Sequence, residues 1–99
     1  MGKIFKKLIM LSTAHITVED NDKFMERNSY LIPMIADYDG GWFFYKPDSR
    51  DEMIKDLKEA GISDSGIKVF EYAFFENGGD FLRLDRDGDT VKKLPKFDW

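Results

Sequence analysis

The sequence predicts a single α+β domain, a sheet of about five strands, antiparallel or mixed, with helices packed on it, in the order β-α-β-β-α-α-β-β. Three observations carry that expectation. Short apolar or aromatic runs bounded by turn residues recur at residues 5–11, 42–45 and 81–84. Between the later runs, apolar residues fall at helical spacing behind serines that suit helix caps, at residues 53–60 and 67–75. Ninety-nine residues, 42% of them hydrophobic, supply one core and leave no mass for a second.

The elements follow in chain order. Residues 5–11 form a short apolar run closed by Ser12 and Thr13, which suits a strand buried on both faces and central in its sheet. Thr17 offers an N-cap to a surface helix over residues 18–28, with Glu19 and Asp20 in its first turn and a narrow inward stripe of Val18, Phe24 and Met25. Pro33 cannot donate to a ladder, so the next strand is placed at residues 34–37. Asp39, Gly40 and Gly41 then supply a tight hairpin into the strand 42–45. Ser49 caps a helix whose apolar residues are Met53, Ile54, Leu57 and Ala60, and Gly61 ends it in the left-handed conformation. Residues 67–75 have the β-branched and aromatic content of a strand, with Ile67, Phe70 and Phe74 at helical spacing; the helix is favoured, capped by Ser63 or Ser65 and ended at Asn77-Gly78-Gly79. Residues 81–84 make a strand, Asp87-Gly88 a hairpin turn, and residues 90–94 the returning strand. After Pro95, Phe97 and Trp99 alternate with Lys96 and Asp98, so both rings fall on one side of an extended tail. The tail is expected to close the core, with a free aromatic hook as the alternative.

Composition removes several function classes. An aromatic content of 15% excludes disorder for most of the chain, and the absence of cysteine excludes disulfides, thiolate metal sites and cysteine nucleophiles, which points to the cytoplasm. A net charge of -4 has the wrong sign for holding nucleic acid through its phosphates. Lys3, Lys6 and Lys7 before Leu8–Leu11 imitate a signal peptide, but that apolar run is too short for one or for a membrane span. Lys6 also stands where a myristoylation signal requires Ser or Thr. No membrane partner is expected.

The candidate chemistry is thin. His15 is the only histidine, and a site around it would need Ser12 or Thr13 plus an orienting acid, or carboxylates to complete a metal shell. A hydrogen-bonding role at the entry to the helix accounts for it more simply. Residues 85–89 imitate the acidic start of a calcium loop, yet Gly88 falls at the fourth position instead of the sixth and Lys96 stands where the loop needs Glu. The glycine pairs match no phosphate-binding or dinucleotide pattern. No catalytic residue, metal or cofactor is therefore assigned. The surface assigned to a protein partner takes in Tyr38, Trp42 and Phe44 from the aromatic hairpin, Asp85, Arg86 and Asp87 from the acidic turn, and Trp99 from the tail. Residues 19–39 carry six acids against Lys23 and Arg27, which a solvated helix face explains.

Four blocks carry a resemblance: Leu11-Ser12-Thr13-Ala14-His15-Ile16, Gly41-Trp42-Phe43-Phe44-Tyr45, Leu84-Asp85-Arg86-Asp87-Gly88 and Leu94-Pro95-Lys96-Phe97-Asp98-Trp99. In this order along nearly the whole chain, they resemble a family of small uncharacterised proteins encoded in bacteria, often on phages, plasmids and conjugative elements. The resemblance implies a cytoplasmic accessory protein and no catalytic residue. Taken with the residues, it favours a non-enzymatic module acting on a host or element-encoded protein, for instance by inhibiting a defence or regulatory protein. The alternatives are a small enzyme around His15 and a nucleic-acid-binding module.

Overall fold

The computed structural model describes residues 6–25, 34–38 and 41–98. Four strands form its sheet: β1 (Leu8–Ser12), β2 (Met34–Tyr38), β3 (Gly41–Tyr45) and β4 (Phe81–Asp85), in the order β1-β4-β3-β2. β1 runs parallel to β4, and the other two pairings are antiparallel, so the sheet is mixed. The helices are α1 (Val18–Met25), α2 (Arg50–Glu59) and α3 (Asp64–Glu71), which continues into a π turn at Tyr72–Glu76.

The expected five-stranded sheet is thus corrected to four strands, because residues 90–94 form none. The reason lies in β4. A hairpin partner needs a free edge, and β4 has β1 on one side and β3 on the other. The chain leaving β4 turns at Arg86 and Asp87 and then passes over the end of β1. Gly88 does not take a positive φ. It lies so close to β1 that a Cβ there would sit 2.5 Å from the Leu11 carbonyl oxygen, and the Ser12 N–H donates to the Asp89 carbonyl at 2.8 Å. Glycine is needed here for close approach, not for a hairpin turn.

A second correction concerns β1 itself, which is an edge strand among the described residues and is not buried on both faces. Leu8 and Met10 are exposed, whereas Ile9 packs against the core and Leu11 is buried in it. Parallel pairing with β4 needs only one neighbour, and the helices cover only one face.

The covered face is built from alternate residues: Leu11 of β1, Trp42 and Phe44 of β3, and Leu82 and Leu84 of β4. Phe24 of α1 lies over it, with ring centroids 5.8 Å from Trp42 and 5.1 Å from Phe44, and Phe70 of α3 meets Phe44 at 4.9 Å. Met53 and Leu57 bring in α2. Ser49 and Ser63 cap α2 and α3 as their positions predict, and Gly61 takes φ +87° after α2. Arg50 at the start of α2 bonds Glu71 at the end of α3 through Nε at 2.9 Å. That carboxylate holds the Arg50 pKa above its ordinary value.

α1 departs most from expectation. Val18 is exposed and Phe24 buried, but the residue that anchors the helix is Asp20, which is 1% exposed. Its N–H donates to Thr17 Oγ1 at 3.0 Å, closing an N-terminal capping box. Its carboxylate accepts the Ser63 N–H at 2.8 Å and the Ser63 hydroxyl at 2.6 Å, and the same hydroxyl oxygen accepts the Gly66 N–H. One buried acid therefore joins the starts of α1 and α3. Residues 26–28 of the expected helix and the turn at Asp39 and Gly40 lie outside the described residues.

Candidate functional site

The strands β1 and β4 are parallel and end together, at Ser12 and Asp85, and the antiparallel β3 begins beside them at Gly41. Ser12 sends the chain into a short 3-10 turn, Thr13–His15, its Oγ accepting the Ala14 N–H at 3.0 Å. The C-terminal segment returns around that turn. Val91 N–H donates to His15 Nε2 at 3.0 Å, so Nδ1 is the protonated nitrogen and donates to the Pro95 carbonyl at 2.7 Å. Phe97 N–H donates to the Ala14 carbonyl at 2.7 Å, Leu94 is buried, and Lys93 bonds Glu76, which raises the lysine's pKa. All four sequence blocks quoted above reach this end of the sheet.

A pocket of about 390 Å³ opens there, lined by Ser12, Thr13, Ala14, Arg86, Phe97 and Asp98. Its walls offer a guanidinium, a carboxylate, hydroxyls and one ring, a set suited to holding a polar group. His15 contributes no free lone pair, since the ring is fully buried and both nitrogens are engaged with backbone. A general base must have one nitrogen free to take a proton. Asp85 is likewise turned inward on its own loop: Oδ1 accepts the Asp87 N–H at 2.8 Å and Oδ2 accepts from Arg83 at 3.2 Å. Among the described residues no group of three His, Asp or Glu side chains is placed to hold a metal.

The second candidate is the face of the sheet that carries no helix among the described residues. The register lays out two rows across three strands, Leu8–Phe81–Tyr45 and Met10–Arg83–Phe43. Leu8 is 47%, Met10 43% and Tyr45 47% exposed, and Phe43 and Phe81 are half-buried against each other with centroids 5.6 Å apart. Arg83 stands in the middle, paired with Asp85. Large apolar side chains are thus gathered on one exposed face, which makes it a candidate interaction surface.

The residues expected to meet a partner are therefore dispersed. Trp42 and Phe44 lie in the core, Trp42 with its indole N–H on Asn21 Oδ1 at 2.9 Å, because the pleat sends them toward the helices; the rings that β3 leaves outward are Phe43 and Tyr45. Arg86 and Asp87 are exposed at the turn and Asp85 is half-buried beneath them. The side chain of Tyr38, and Trp99, lie outside the described residues. The exposure of Leu8 and Met10 and the burial of Asp20 are features that the sequence reading missed. The run Leu8-Ile9-Met10-Leu11 shows no polar alternation to reveal an open face, whereas Thr17 and Asp20 do stand at capping-box spacing.

A family model matches residues 8–99 as the C-terminal domain of a family of unknown function, DUF5983, and the chain belongs to that family. No curated protein and no solved structure matches it.

Proposed function

We propose that this member of a family without an established activity is a non-enzymatic binding module that docks a partner protein on the open face of its sheet. The observation that carries the reading is the exposure of Leu8, Met10 and Tyr45 together on that face, flanked by Phe43 and Phe81. The engagement of both His15 nitrogens by backbone supports a binding role over a reaction centred on that residue. The net charge of -4 favours a protein over a nucleic acid as the partner. No helix among the described residues is long and apolar enough to cross a membrane. The finer reading follows the resemblance in the sequence blocks: a cytoplasmic accessory protein of a phage or other mobile element, acting on a host or element-encoded protein, with inhibition as one form of that action.

The test is affinity capture from a bacterial lysate with the native chain and with a Met10→Lys/Tyr45→Lys variant whose melting temperature matches it. A partner held by the native chain and lost by the variant supports the reading. A partner retained by the variant, or none captured by either, overturns it.

A further inference from the structure

β1 has one neighbour, so among the described residues its other edge is unpaired. Which backbone groups that edge presents follows from the ladder. The Lys7 carbonyl accepts from Phe81 N–H, so Lys7, Ile9 and Leu11 turn their backbone groups toward β4, while Leu8, Met10 and Ser12 turn theirs outward. The Ser12 N–H is taken by the Asp89 carbonyl. Leu8 and Met10 remain, each with an outward N–H and C=O, and both side chains are exposed. Edges of this kind are usually blunted by proline, a bulge or an inward charge, and residues 8–11 contain none of these.

We infer that this edge is a self-association site, and that its occupant is a second copy of the same chain, paired antiparallel through Leu8 and Met10. Two residues spaced two apart are self-complementary under a two-fold axis. Leu8 of each copy faces Met10 of the other, every outward donor finds an acceptor, and Ile9 meets Ile9 on the axis. Charge selects the same arrangement. The ladder ends at Met10, because Asp89 already occupies the edge beside Ser12, and Lys6 of one copy reaches the exposed Asp89 of the other where the two strands part. A parallel pairing would instead set Lys6 and Lys7 against their own copies, which is repulsive. The dimer joins two four-stranded sheets into one and makes their open faces continuous, with Leu8 and Met10 of both copies at its centre. Two short strands and their flanking side chains bury less than the roughly 1,000 Å² of a stable interface, so the association is weak and depends on concentration. The edge adjoins the docking face proposed above and shares Leu8 and Met10 with it, but it is read from backbone groups rather than side chains, and its test uses the purified chain alone.

The experiment is sedimentation velocity on the purified chain from about 10 μM to about 1 mM, a range that brackets weak self-association. The expected result is a shift from one chain mass to two across that range. Met10→Pro removes an outward donor as well as the Met10 side chain, and it should weaken dimerisation by about tenfold or more beyond the effect of Met10→Ala, with the amide NMR spectrum otherwise native. Lys6→Glu and Asp89→Lys should each weaken it, and the double variant should recover it. A single-chain mass at every concentration overturns the inference. So does a dimer indifferent to all of these substitutions, since it must use another surface. Loss of recovery in the double variant overturns the register. If the native chain stays monomeric while Met10→Pro abolishes capture of a different protein that Met10→Ala still holds, the edge takes a foreign strand and the second copy is ruled out.

Discussion

The two faces of the sheet use the same three strands and nearly the same residue types, yet they have opposite fates. On one, Leu11, Trp42, Phe44, Leu82 and Leu84 are all less than a tenth exposed; on the other, Leu8, Met10 and Tyr45 are each more than two-fifths exposed. Hydrophobicity does not separate them, because Phe43 and Phe44 are the same residue type. What separates them is the pleat, which sends neighbours to opposite sides, and the placement of the described helices on one side. Stability should therefore reside on the covered face and recognition on the open one.

The sharpest way to break that contrast is to truncate a side chain on each face. Phe44→Ala removes a ring packed on Phe24 and Phe70 and should cost about 3–5 kcal/mol, enough to leave little folded protein in a urea titration. Asp20→Ala should come next, at about 3 kcal/mol, since it strips Ser63 of a charged acceptor and undoes the junction of two helices. Asp20→Asn should recover part of this, because an amide can still accept one bond; equal losses for the two variants would mean that the carboxylate is not the anchor. His15→Ala should cost about 2 kcal/mol by chemical denaturation, leaving the Val91 N–H and the Pro95 carbonyl without partners. Nitrogen-15 spectra of the native ring should show Nδ1 protonated, and the opposite tautomer would contradict this hydrogen-bond assignment. The smallest change belongs to the open face: Tyr45→Lys should alter stability by no more than about 0.5 kcal/mol. A loss on the scale of Phe44→Ala would show that something covers this face and that it is not a docking surface.

The two ends of the chain differ in legibility as well. For residues 41–85 the sequence is nearly explicit, because its signals are local: Ser49 and Ser63 cap the helices they precede, Gly61 takes the left-handed turn, and aromatic β3 pairs as a strand. Around β1 and residues 86–98 the local signals mislead. Asp87-Gly88 reads as a hairpin, but a hairpin requires the preceding strand to have a free edge, and β1 occupies it. His15 carries no sign of its partners, which lie 76 and 80 residues away. Asp20 reads as one more solvated acid until Ser63 is brought against it.

From the sequence alone came the α+β class, the two capped helices and the aromatic strand, all of which depend on composition or on residues within a few positions of each other. Tertiary structure decided the sheet order, the face that stays uncovered, the edge position of β1, the buried role of Asp20 and the assembly of the end pocket. These depend on which distant segments meet. Strand pairing and burial are set by competition for edges and faces across the whole chain, and no window of the sequence contains that competition.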